Sequence, residues 1–343
     1  MMNFQALILP LISLLTFPLV AQNPVPAPPQ SGKIVISGAT IHIGNGTVLE
    51  NGEIRIADGK IERVGGPTRA LLDDYEKINA SGQHIFPGLI ALNTTLGLVE
   101  IQAVRSTNDR TEVGTYNPNV RSLIAFNTDS QIIPTVRSRG VLLAQATPRG
   151  GLISGQSSVF QLDGWNYEDA VIAADEGMHM NWPRRRSYNW QAGRWANNEN
   201  YAEQVRDMEH FIGQAAGYCE REVEEVQLRY AAMCRALQGD AQVYVHVDLA
   251  ADILAVIELF NAYENVQLAI VGGAESYVVA EQLAAADIPV ILGSTQALPR
   301  REDDPVDLPF RLPMLLEEAG VAFALNHGPR WGGWQQRNLP FQA

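Results

Sequence analysis

Val243-Tyr244-Val245-His246-Val247, the run Ala250 to Tyr263, Val266-Gln267-Leu268-Ala269-Ile270-Val271, the run Ser276 to Ala286 and Pro289-Val290-Ile291-Leu292 follow one another without interruption. Short Val- and Ile-rich runs read as buried strands, and the longer stretches between them carry helical patterning. A strand, a helix and a strand repeating about every 20 to 25 residues make parallel βα units, hence a barrel or a doubly wound sheet. The grammar extends backward to Val141–Ala146 and the helical Tyr201 to Leu237. Forward it reaches the helical Pro309 to Ala319 and the strand Val321 to Leu325.

Upstream of residue 87 the pattern is different. Ile34 and Ile36 alternate with Val35 and Ser37, Ile41 and Ile43 follow, and Ile54 and Ile56 run into Asp58-Gly59, a two-residue hairpin signal. Leu71 to Lys77 reads as a helix-compatible connector, and Gln83 to Phe86 as another strand. This part, 33–86, is expected to be a small β-sandwich unit beside a barrel over 87–343.

The junction reads Pro87-Gly88-Leu89-Ile90-Ala91-Leu92-Asn93-Thr94-Thr95-Leu96-Gly97. It resembles the segment that enters the first barrel strand in the amidohydrolase superfamily, in its imidazolonepropionase-like and dihydroorotase-like branches, where Pro-Gly-[Leu/Phe]-Ile-Asp-x-His-x-His is usual. The resemblance implies an α/β fold, a TIM-like (β/α)8 barrel with a small β-sandwich, and hydrolysis of carbon-nitrogen bonds other than ordinary peptide links. It also implies zinc or another divalent metal at the barrel mouth if the protein is active. His-x-His works because the period of two along a strand points both imidazoles to one side. Here Asn93 and Thr95 inherit that direction and Ala91 stands for the Asp; amide and hydroxyl oxygens are weak donors to a transition metal beside imidazole or carboxylate.

The same comparison implies that His246 matches the fifth-strand ligand and is the one retained metal candidate. Gly272 occupies the sixth-strand ligand position, in Gly272-Gly273-Ala274-Glu275. The eighth strand, Phe323-Ala324-Leu325-Asn326-His327-Gly328, places His327 or Gly328 where an Asp acts as base. His327 is the candidate catalytic base, since an imidazole titrates near neutrality. Asn93, Thr95, Gly272 and His246 are expected to line a pocket. The fourth-strand ligand has no visible counterpart. Asp163, Asp248 and Glu275 are spare carboxylates near strand ends, expected as caps or surface charges. Thr147-Pro148-Arg149-Gly150-Gly151-Leu152-Ile153-Ser154-Gly155 reads as a Gly-rich mouth loop able to form an anion nest, and Arg121 as half of a surface ion pair, with an anionic ligand as the alternative. The alternative to an enzyme is a pseudoenzyme that binds a ligand or pairs with an active relative.

A net charge of -13 disfavours a nucleic-acid partner; the basic cluster Arg184 to Arg186 lies among Trp182, Tyr188, Trp190 and Trp195. The expected partners are a small-molecule substrate or ligand, with a homo-oligomer or a related chain as protein partner. Leu7 to Ala21 is too short for a membrane span and ends in a small residue, so 1–21 is expected to be a signal peptide and the protein secreted to a periplasm. Residues 22–32, with Pro24, Pro26, Pro28 and Pro29, read as a tether. Cys219 and Cys234 would lie more than about 20 Å apart on one continuous helix, so two buried free thiols are expected unless the helix folds back as a hairpin. The return strands that would complete the sandwich are not found before Ala343, and the barrel is expected to be C-terminally truncated.

Overall fold

The computed structural model describes residues 25–68, 72–222, 224–301, 303–327 and 333–343. The expected leader and Gly328 lie outside the described residues.

The N-terminal unit is one mixed sheet. Strands β1 (Lys33–His42), β2 (Val48–Ala57) and β3 (Lys60–Gly65) form an antiparallel meander, with Asp58-Gly59 turning the β2–β3 hairpin. Strands β4 (Glu76–Asn79) and β5 (His84–Ile85) both run parallel to β1 on its other edge. Of the expected sandwich, the structure thus shows a single five-stranded sheet. The connector expected to be helix-compatible ends as strand β4, because Glu76 to Asn79 can pair with the free edge of Ile34 to Ser37.

The larger unit is a mixed α/β fold around a nearly closed eight-stranded sheet. In chain order it contains β6 (Leu89–Thr94), α1 (Ile132–Arg137), β7 (Val141–Ala146), β8 (Ile153–Gln161), α2 (Tyr167–Ala170) and β9 (Val171–Asn181). A separate hairpin of β10 (Arg186–Asn189) and β11 (Arg194–Asn197) follows, then α3 (Tyr201–Cys219) and α4 (Leu228–Leu237). The regular part is β12 (Gln242–Val247), α5 (Ala250–Phe260), β13 (Leu268–Gly272), α6 (Ala280–Ala285), β14 (Val290–Leu292), α7 (Leu308–Glu318) and β15 (Phe323–Leu325), with a closing α8 (Leu339–Gln342). The order across the sheet is β15-β14-β13-β12-β9-β8-β7-β6. All neighbours are parallel except β8, which is antiparallel to both β7 and β9.

Helical periodicity explains the outer layer. On α3 the buried set is Met208, Phe211, Ile212 and Ala215, a three-and-four spacing that makes one apolar stripe. These side chains meet Val243, Val245 and Val247 of β12 and Met178 and Met180 of β9 in one core. A second core gathers α1, β6, β7, Phe160 of β8 and Leu339 of α8.

The expectation of free thiols is corrected. Cys219 and Cys234 form a disulfide with Cα atoms 5.4 Å apart. The helix stops at Cys219 and α4 returns beside α3 from Leu228, so the two cysteines face each other across a helical hairpin.

Candidate functional site at the barrel mouth

Because Val243, Val245 and Val247 face the helices, period two sends Tyr244 and His246 to the other face of β12, into the barrel. There His246 Nε2 lies 3.0 Å from Nδ1 of His179 on β9. His179 is fully buried, and its Nε2 is 2.9 Å from Ser157 Oγ of β8. Ser157 Oγ donates to Glu176 Oε1. Glu176 also accepts from Gln145 Nε2 at 2.8 Å and, through Oε2, from the Tyr244 hydroxyl at 3.1 Å.

These directions fix the protons along the row. Ser157 gives its only hydrogen to Glu176, so it must accept from His179 Nε2–H. His179 Nδ1 then carries a lone pair and accepts from His246 Nε2–H. Nδ1 of His246 is left as the free acceptor at the end of the row. Both rings are neutral in this arrangement.

The electrostatics agree. Burial, the neighbouring His246 and the charge of Arg149 hold His179 well below the ordinary imidazole range. Burial first, and then Arg149, push His246 down to about 3. Burial raises Glu176, partly offset by the hydrogen bonds from Ser157, Gln145 and Tyr244. Tyr244 is raised by burial and by the charge of Glu176.

Arg149, from the Gly-rich loop after β7, turns inward. Its Nη1 donates to Asn93 Oδ1 and its Nη2 to Asn93 O at 2.7 Å. Asn93 adopts φ 48°, a left-handed conformation that asparagine tolerates better than most residues. Its N–H donates to Gln145 Oε1 at 2.9 Å. Arg149 therefore connects to Glu176 through Asn93, by way of its backbone N–H, and the Gln145 side chain, and no carboxylate touches the guanidinium among the described residues.

The other expected site residues are placed as follows. Thr95 is buried, and its Oγ1 has no hydrogen-bond partner among the described residues. Gly272 has φ 100°, and a Cβ there would stand 2.6 Å from Asp248 Oδ1, so the position excludes a side chain on two counts. Nδ1 of His327 meets Gln342 Oε1 at 2.6 Å, and no hydrogen bond joins it to the His179–His246 row. Glu275 Oε2 accepts from Ala250 N at 2.9 Å, and Asp248 pairs with Arg300. Asp163 pairs with Arg137, and Arg121 with Asp175.

The divalent metal implied by the resemblance does not fit these residues. Asn93 spends its oxygen on a guanidinium, Gly272 offers no ligand, and among the described residues no three His, Cys, Asp or Glu side chains converge. A fixed cation stands at the mouth instead, and it would repel a second one.

Sequence reasoning missed His179, Glu176, Ser157 and Gln145. Gly177-Met178-His179-Met180-Asn181 does alternate, and with one His per strand on neighbouring strands it offered a weak signal for His179. Glu176 had none: it joins the row from a break in alternation at Asp175, where φ is 50° and the β8–β9 register shifts.

No family model matches the chain, and no curated protein matches it. Among solved structures the fold is similar to that of an amidohydrolase from Thermotoga maritima MSB8. The TM-score is 0.76 with 20% identity, over 90% of this chain and 82% of that one. A guanine deaminase from C. acetobutylicum with bound guanine overlaps with a TM-score of 0.40 at 12% identity, over 86% of this chain and 74% of that one. The likeness of fold rests on the first of these.

Proposed function

We propose that this chain is a ligand-binding protein on an amidohydrolase-type barrel, a pseudoenzyme with respect to metal-dependent hydrolysis of carbon-nitrogen bonds. The observation that carries the reading is Arg149 seated on Asn93, a cation where the resemblance calls for a metal ligand. The ligand is a small molecule received at the mouth beside Arg149 and His246, and a second copy or a related, active chain is the protein partner. Export accompanies this reading, supported by the Cys219–Cys234 disulfide, since such bonds persist in oxidising compartments.

Metal analysis of protein purified without chelator and then offered zinc tests the proposal. Zinc far below one per chain is expected, in folded protein. Near-stoichiometric zinc that disappears in His246→Ala would overturn it.

A second reading keeps hydrolase activity on carbon-nitrogen bonds. It is favoured by the proton row from His246 to Glu176, an acid-base arrangement that needs no metal to hold its shape. Turnover of cyclic amides or acylated amino acids by the wild type, lost in His246→Gln, would select it.

A further inference from the structure

Arg149 brings a full charge into the barrel, and no carboxylate among the described residues neutralises it. Burial and the nearby Arg110 together push its guanidinium down to about 10, so it remains charged at neutral pH. The second arginine is fixed close by through the backbone, since Arg149 N donates to Arg110 O at 2.6 Å and Thr111 bridges to Arg149. Neither arginine forms an ion pair among the described residues. A buried charge is costly unless paired, and two like charges together add to the cost. Of the five guanidinium N–H groups of Arg149, Asn93 takes one on each of Nη1 and Nη2. The remaining three have no protein acceptor among the described residues. The Asn93 contacts fix the plane of the fork, and the residue is half-buried rather than sealed in the core.

We propose that Arg149 and Arg110 form an anion site at the barrel mouth whose ligand is a small carboxylate. The inference rests on the metal-free reading given above and names the class of ligand that reading leaves open. A carboxylate matches a planar guanidinium through two parallel hydrogen bonds. With the rings of His179 and His246 neutral, the charge of the site comes from the two arginines alone, and the planar fork held by Asn93 is what selects a carboxylate.

Isothermal titration of the full chain with sodium propionate, and separately with sodium phosphate, at ionic strength held constant with sodium chloride, tests the assignment. Saturable binding of propionate, stronger than that of phosphate, is expected. Arg110→Gln, at a half-buried loop position, should weaken it about tenfold, and Arg149→Lys, which keeps the charge and loses the fork, at least as much. Propionate that fails to saturate, binds Arg110→Gln as well as wild type, or is beaten by phosphate would overturn the inference. Stoichiometric zinc in the same preparation would sink the metal-free reading and this site with it. Metal-free protein indifferent to propionate would sink this site alone.

Discussion

His246 and His179 show how burial, reinforced by one nearby charge, sets a site's protonation. A buried imidazole already disfavours its charged form, and the guanidinium of Arg149 adds to that in both rings. Lowered folded-state values mean that the unfolded chain takes up these protons first. The stabilisation from the neutral rings is therefore complete above the unfolded value of about 6.5 and is lost as pH falls toward the folded value of about 3 for His246. Glu176 is raised and acts with the opposite sign from about pH 4.5 upward, so a variant comparison is needed to isolate the histidine. His246→Gln keeps an N–H for His179 Nδ1 and removes the titration. Urea unfolding between pH 7 and pH 4 should show the wild type losing stability more steeply than the variant, by up to about 1.4 kcal/mol per pH unit. Parallel curves would refute the assignment of His246 as a buried neutral group.

At the level of elements, the legible strands and the illegible ones differ in what they bury. Strands β12 to β15 present Val, Ile and Leu to the helices, and the apolar runs announce them. Strand β8 reads Ile153-Ser154-Gly155-Gln156-Ser157-Ser158-Val159-Phe160-Gln161, which carries the composition of a loop, yet Ser154 to Ser158 are all buried. Their polar groups are satisfied within the fold: Gln156 by Pro118 O, Ser154 by Gly150 O, and Ser157 by Glu176 and His179. Hydropathy cannot find a strand whose buried face is the site itself. Spacing along the chain was blind to Arg149 for a related reason, because its partner Asn93 lies 56 residues away. The α3–α4 hairpin was similarly hidden, since the stripe on α3 and that on α4 read as one long helix until the break between Cys219 and Leu228 is seen. Its disulfide closes a short loop, for which chain-entropy reasoning gives about 3 kcal/mol. Reductant should lower the melting temperature of the wild type and leave a Cys219→Ser/Cys234→Ser variant, already lower melting, unmoved. A melting point insensitive to both would mean that the hairpin holds without the bridge.

For the whole molecule, the open question of a barrel sheet is how its two ends meet. No backbone pairing joins β15 to β6 among the described residues. The seam is spanned by the chain from Gly333 to Ala343. Gln336 is fully buried and donates to Asn326 Oδ1 at 3.1 Å, and Gln342 Nε2 donates to Asn326 O at 3.3 Å, both just beyond β15. On the other side, Leu339 enters the core shared by β6 and β7, and Gly333 approaches Leu96 so closely that a Cβ would stand 3.0 Å from its Cα. The closing segment thus holds the strand that carries Asn93 and, through it, Arg149. Leu339→Ala removes apolar contact from a site with 3% exposure, and such truncations cost about 2 to 5 kcal/mol. Its effect should be directional. Amide hydrogen exchange should accelerate in β6 and β15 while the interior strands β12 and β13 keep their protection, because local opening follows the weakest seam. Propionate affinity should fall in the same variant, since freeing β6 frees the residue that orients the guanidinium. Uniform acceleration over all strands would show instead that the seam opens only with the whole barrel.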